Sequence, residues 1–245
     1  MEGELEDAPA TSAYANCRVM RAIAILAALV FVAGCAGGDD ETAGDQIAFT
    51  VNRAGWNEIW LMAADGTERA RLTELEPPQN DAAGNGDPAW SPDGSQIAFA
   101  GQIGTTTEDP RRTEIYVMRV DGTGRRRLTT NDALDGNPAW SPDGKSLAFV
   151  SYRDGFGRTC FHECSTSGEI YVLEVETGET RRLTRSQASD GSPAWSPDGR
   201  RIAFVSDRSN RQQHAYEIYV MGPSGEDVLR ITRNAVWDLE PVWRP

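Results

Sequence analysis

Histidine stands only at positions 162 and 214 of this 245-residue chain, and lysine only at 145. A Ser-His-Asp constellation needs an imidazole held beside its nucleophile, and two histidines in irregular segments argue against one. The Gly-x-Ser-x-Gly elbow of serine hydrolases does not occur, nor does a phosphate-cradling or dinucleotide-binding glycine pattern. Basic residues are outnumbered 24 to 37, and the net charge of −13 excludes a nucleic-acid backbone as the natural partner. The lone lysine beside 23 arginines reads as codon usage. No long hydrophobic run is present either. Ala22 to Ala33 is an unbroken apolar stretch of 12, too short to cross a bilayer as a helix.

What the chain does have is repetition. Pro-Ala-Trp-Ser-Pro-Asp-Gly begins at Pro88, Pro138 and Pro193, and a divergent copy, Glu240-Pro241-Val242-Trp243-Arg244-Pro245, follows. A period near 50 residues marks a repeat architecture. The spacing inside the unit is fixed. Trp90 to Phe99, Trp140 to Phe149 and Trp195 to Phe204 are each 9 residues apart, and Ile59–Leu72, Ile115–Leu128, Ile170–Leu183 and Ile218–Ile231 each 13. Each of these residues sits in a short β-branched or aromatic run bounded by turn residues, which predicts strands. Ser-Pro-Asp-Gly suits a type I turn, its Asp (93, 143 or 198) capping the backbone locally. Asp65-Gly66, Asp121-Gly122, Thr177-Gly178 and Ser224-Gly225 mark a hairpin that needs positive φ.

Four strands per unit, a to d, joined as a meander make a propeller blade. The fold class is therefore all-β, a propeller over residues 46–245. The first unit lacks strand a and the last has only strand a, so four blades closed by the C-terminal strand are expected. The repeats resemble the TolB-type propeller repeat, also found in prolyl-oligopeptidase-like enzymes, through PAWSPDG, IAF, EIYVM, DGT and RRLT. The type protein of that family carries six blades and an N-terminal α/β domain, so the resemblance implies the fold and not that protein's specific role.

Met20-Arg21, the apolar run and Val32-Ala33-Gly34-Cys35 have the layout of a bacterial lipoprotein signal. Residues 20–34 are read as the signal peptide, Cys35 as the lipidated first residue, and 35–45 as a Gly- and Asp-rich tether. Residues 1–19, with Glu2, Glu4, Glu6 and Asp7, have the wrong charge for a signal and read as a misassigned upstream segment. The protein is thus expected in the cell envelope, anchored to the membrane by lipid and facing the periplasm or exterior. Cys160 and Cys164, in an inserted loop outside the cytoplasm, suggest a local disulfide. A metal site there would use His162 or Glu163 but lacks a second cluster, so neither metal nor cofactor is expected.

Two acidic series recur. Asn85, Asp135, Asp190 and Asp238 stand five residues before each Trp, and Glu58, Glu114, Glu169 and Glu217 precede each strand-c Ile. Strand alternation brings both to one end of the blades, the end that also carries every long insertion, such as the 21-residue Phe149–Ile170 interval. They serve either as turn caps and blade-to-blade hydrogen bonds or as a binding site at the channel mouth. Function gathers on variable loops held by a rigid scaffold. The chain is accordingly read as a monomeric, non-catalytic scaffold binding an envelope protein or peptide. Alternatives are a carbohydrate or small-ligand binder, with Trp56, Phe156 and Trp237 for stacking, or a polysaccharide-active enzyme.

Overall fold

Ser-Pro-Asp-Gly closes the same turn three times. In the third sheet the Ser141 hydroxyl and the Lys145 amide both donate to Asp143 Oδ1, at 2.6 and 3.1 Å, and the Gly144 amide donates to the Ser141 carbonyl at 2.9 Å. Gly144 sits at φ +69°, where a Cβ would be strained. Asp93 does the same for Ser91 and Ser95, and these donors hold its carboxyl down at about 2. The second hairpin also needs its glycine: Gly66, Gly122, Gly178 and Gly225 all have positive φ. The computed structural model describes residues 45–53, 56–73, 86–102, 113–131, 133–154, 167–209, 215–234 and 236–244.

These turns set out fifteen strands in four antiparallel sheets. The first holds β1 (Gln46–Arg53), β2 (Trp56–Ala63) and β3 (Ala70–Arg71); the second, β4 (Gly86–Trp90), β5 (Gln96–Gln102), β6 (Thr113–Arg119) and β7 (Arg126–Arg127). The third holds β8 (Asp135–Trp140), β9 (Ser146–Ser151), β10 (Glu169–Glu174) and β11 (Thr180–Arg182); the fourth, β12 (Asp190–Trp195), β13 (Ile202–Ser206), β14 (Glu217–Met221) and β15 (Leu229–Arg230). Strand order within each sheet follows the chain. Consecutive sheets meet through β4, β8 and β12, whereas β7, β11 and β15 contact only their own sheets; the former are the inner strands of a propeller and the latter its rim.

The core lies between sheets. Ile59, Ile97, Phe99 and Met118 fill the first joint; Ile115, Leu128, Trp140, Leu147, Phe149 and Leu173 the second; Val150, Ile170, Leu183, Ile202, Phe204 and Met221 the third. Cross-strand aromatic pairs, Phe99–Tyr116, Phe149–Tyr171 and Phe204–Tyr219, sit with centroids 5.6–5.7 Å apart in the second, third and fourth sheets. The Trp140 indole N–H donates to the Ala89 carbonyl of the preceding sheet at 3.1 Å, tying inner strand to inner strand.

The expected closure needs correcting. The first sheet has three strands, and residues 236–244 form no ladder. No strand of the first sheet touches one of the fourth. Only consecutive sheets meet, and Ile47 of the first sheet and Ile231 after the fourth are 41% and 51% exposed, so the four sheets form an open arc. The last segment instead rests on the fourth sheet, where Asp238 N donates to the Tyr216 carbonyl at 2.9 Å and Trp243 Nε1 to the Ala194 carbonyl at 3.0 Å.

Candidate functional site

The strand-c glutamates begin with a spacing. Thirteen residues after Glu58, Glu114, Glu169 and Glu217 stand Arg71, Arg127, Arg182 and Arg230 on the rim strands, and antiparallel pairing (Tyr116 opposite Arg127, Tyr171 opposite Arg182) brings each Arg diagonally beside its Glu. The ion pairs measure 3.3, 2.8, 2.9 and 2.7 Å, and all four carboxylates are buried. The Thr two residues after each Arg completes the unit. Thr73, Thr129, Thr184 and Thr232 accept from the following Ile amide at 2.9 Å, and the Thr184 and Thr232 hydroxyls donate to their Glu at 2.6 Å. RLT is thus the counterion and cap for EI.

The aspartate series meets the glutamate series across the second and third joints, and the same link recurs at the open end. Asn131 Nδ2 donates to Glu114 Oε2 at 3.3 Å and Asp135 Oδ2 at 2.6 Å. Ser186 links Glu169 (backbone N–H, 3.1 Å) to Asp190 (hydroxyl, 3.3 Å), and Asn234 links Glu217 (2.9 Å) to Asp238 (2.8 Å). Asp135 and Asp190 are buried and paired with Arg153 at 3.0 Å and Arg208 at 2.8 Å, guanidiniums that also lie over the Phe149/Tyr171 and Phe204/Tyr219 rings. Asp135 Oδ1 is enclosed and has no hydrogen-bond partner. Asp238, at the open end, is half-buried.

Electrostatics follow position along the arc. Burial pushes the Glu114 carboxyl up to about 7; nearby Asp135 adds to the rise, while the Thr129 hydroxyl and Arg127 oppose it. Glu169 is raised for the same reasons, burial first and Asp190 next. At the open end burial still opposes ionisation of Glu217, but the Thr232 hydroxyl, the Asn234 amide and Arg230 outweigh it and hold the carboxyl low.

Among the described residues, Glu114 and Asp135, and Glu169 and Asp190, are therefore brought together inside the second and third joints, and Glu217 and Asp238 at the open end. Glu114 with Asp135 and Glu169 with Asp190 are bridged from sheet to sheet, whereas Glu58 bonds Trp60 and Arg71 of its own sheet and Glu217 bonds Arg230, Thr232 and Asn234. Asn85, Cys35, Cys160, Cys164, Phe156 and both histidines lie outside the described residues. Trp237 is 61% exposed and meets Tyr216 edge-on at 6.0 Å. Among the described residues no group of three His, Cys, Asp or Glu side chains is arranged for a metal.

The sequence reading missed the residue before each inner-strand proline. Asp87, Asn137, Ser192 and Glu240 all have positive φ, between 47° and 54°. A residue preceding proline normally stays extended, so a left-handed conformation there is strained, by about 1–3 kcal/mol each. Each of the first three sits in the bulge that lets proline enter a strand. The bulge turns their short polar side chains out of the ladder along consecutive inner strands, and Asp87 Oδ2 accepts from the Asn137 amide of the next sheet at 3.1 Å. The signal was available as the variable residue of Gly-x-Pro-Ala-Trp.

Comparison with known proteins agrees with this geometry. The family model of the TolB beta propeller domain matches residues 77–168 and 159–245. A TolB homologue of Chlorobium luteolum is 29% identical over 170 residues, 69% of this chain and 33% of its own. An uncharacterized peptidase, YuxL, of Bacillus subtilis is 32% identical over 81 residues, 33% of this chain and 12% of its own. A TolB structure from Agrobacterium tumefaciens superposes with a TM-score of 0.58 at 25% identity, covering 76% of this chain and 58% of that one. The chain spans about a third or less of the length of these curated relatives. With strand order, turn chemistry and a family model covering most of the chain in agreement, the protein belongs to the TolB β-propeller domain family.

Proposed function

We propose that this protein is a lipid-anchored, non-catalytic scaffold of the bacterial cell envelope that binds a protein or peptide along its inner strands. The observation that carries this reading is the row Asp87, Asn137 and Ser192 on successive inner strands, with Glu240 at the corresponding place of the last segment: strained, largely exposed polar side chains. Strain of this kind persists where the surroundings enforce it and concentrates at ligand-contacting positions. Two of the four are acids, in a chain of net charge −13, so the partner is a segment rich in hydrogen-bond donors, with basic side chains. The buried carboxylates behind this row are each paired with an arginine and act as struts. Val32-Ala33-Gly34-Cys35 supports the envelope address.

The test is affinity capture from solubilised envelope with the full lipidated protein, alongside the Asp87→Lys/Glu240→Lys variant. Loss of a captured protein with the variant, at unchanged melting temperature, supports the reading. Capture that survives the charge reversal removes the inner strands from the site. Binding confined to oligosaccharides, or their cleavage, replaces it with the carbohydrate alternative.

A further inference from the structure

The two ends of the described arc are complementary. The first sheet lacks an inner strand, and β1 pairs only with β2, which leaves one edge without a ladder among the described residues. At the other end, residues 238–243 already hold the shape of an inner strand without a sheet. Asp238 N bonds the Tyr216 carbonyl at 2.9 Å as Asp190 N bonds that of Gly168 at 2.7 Å, and Asn234 serves Asp238 as Asn131 serves Asp135. Glu240 has the φ of Asn137 and Ser192, and Trp243 bonds Ala194 as Trp140 bonds Ala89.

The apolar faces tell the same story. Ile97, Leu147 and Ile202, which pack back onto the preceding sheet, are all at 0% exposure, whereas Ile47 at the equivalent position of β1 is 41% exposed. Leu128 and Leu183 pack forward at 8% and 6%, whereas Ile231 is 51% exposed. Val242, the counterpart of Ala139 and Ala194, is 89% exposed. One end of the arc shows a bare back face and the other a bare front face, and within the chain the two do not meet.

We infer that a second copy of this chain joins the ends: the fourth sheet of one copy packs on the first sheet of the next, and residues 238–243 enter that sheet along the free edge of β1. The existing ladders set the register. Gly136 faces Val150, Ala139 faces Ala148 and Trp140 faces Leu147, so Leu239 faces Thr50, Val242 faces Ala48 and Trp243 faces Ile47 of the neighbour. An open strand edge beside uncovered apolar side chains is a template for pairing, and unlike ends make the contact head-to-tail. The association replaces the monomer expected from sequence; of the proposed binding row it engages Glu240 and leaves Asp87, Asn137 and Ser192 outside the entering segment.

The test uses the full chain carrying Ala48→Cys and Val242→Cys. Facing residues of an antiparallel pair lie within disulfide reach. Mild oxidation is expected to give covalent species of two or more chains that neither single variant nor the unsubstituted protein gives. Light scattering of the unsubstituted protein is expected to report at least twice the single-chain mass. Val242→Arg returns it to the single-chain mass, and Lys145→Glu, a charge reversal at an exposed turn of the third sheet, leaves it unchanged. A cross-link confined to one chain would mean that the arc closes on itself and would overturn the inference. So would a single-chain mass at every concentration without cross-linking, or an assembly that survives Val242→Arg.

Discussion

Glu114 makes the stability of this protein depend on pH in the opposite sense to most carboxylates. Its folded-state pKa stands at about 7 against an ordinary 4.5, because burial disfavours the ion and Asp135 is close by. Between those values the folded protein holds a proton that the unfolded chain has released, so stability falls as pH rises through the window and levels off above it. The shift corresponds to about 3 kcal/mol between pH 5 and pH 8, from about 1.4 kcal/mol for each pKa step. Glu169, also raised, adds to the fall. Glu217 and the turn aspartates have lowered values, and their contributions are lost only as pH drops below the ordinary carboxylate range, outside the window. Glu114→Gln keeps the shape and removes the titration. Urea unfolding followed by tryptophan fluorescence at pH 5, 6, 7 and 8 should therefore show a pH 5 to 8 difference smaller by about 3 kcal/mol in the variant. A variant that loses stability as steeply as the unsubstituted protein, or an unsubstituted protein equally stable at pH 5 and pH 8, refutes the reasoning.

Three further outcomes are expected. Asp190→Ala removes both contacts to the Arg208 guanidinium and should lower unfolding free energy by about 2 kcal/mol, read as a shift in denaturant midpoint at unchanged slope; a purely ligand-binding Asp190 would leave that midpoint in place. Phe149→Ala empties the middle of the second joint and should cost about 3–5 kcal/mol, which lowers the melting transition by about 6–20 °C. Cys35→Ser should move the protein from the detergent phase to the aqueous phase or leave an unprocessed precursor, whereas unchanged partitioning and mass would remove the lipid anchor.

Much of the blade was legible in the residues. Fixed offsets from Trp to Phe and from Ile to Leu gave strands and register, because a meander joined by turns of constant length has little freedom. The Asp of Ser-Pro-Asp-Gly was readable as a cap for the same reason. The acids were harder. Their recurrence was visible, but whether Asp135 and Asp190 face water or the joint depends on Arg153 and Arg208, just past the end of the neighbouring strand and 18 residues on in sequence. The offset of 13 from Glu to Arg was as regular as that from Ile to Leu and carried the answer once the rim strand was paired. Closure was not legible at all. It depends on the angle at each joint, which sums the volumes of whole side-chain layers and has no local motif.

The unequal filling of the joints bears on how this protein comes apart. Among the described residues, the second and third clusters each gather nine buried residues and the first gathers four, Ile59, Ile97, Phe99 and Met118. In an array where each sheet leans only on its neighbours, stability is a chain of local couplings, and the weakest link opens first. The first sheet is also the one short of a strand. In the single chain, the state that Val242→Arg isolates, its amides, those of β1 above all, should exchange with solvent through a low-energy opening that leaves β9 and β13 closed, and docking of a second copy should slow that exchange.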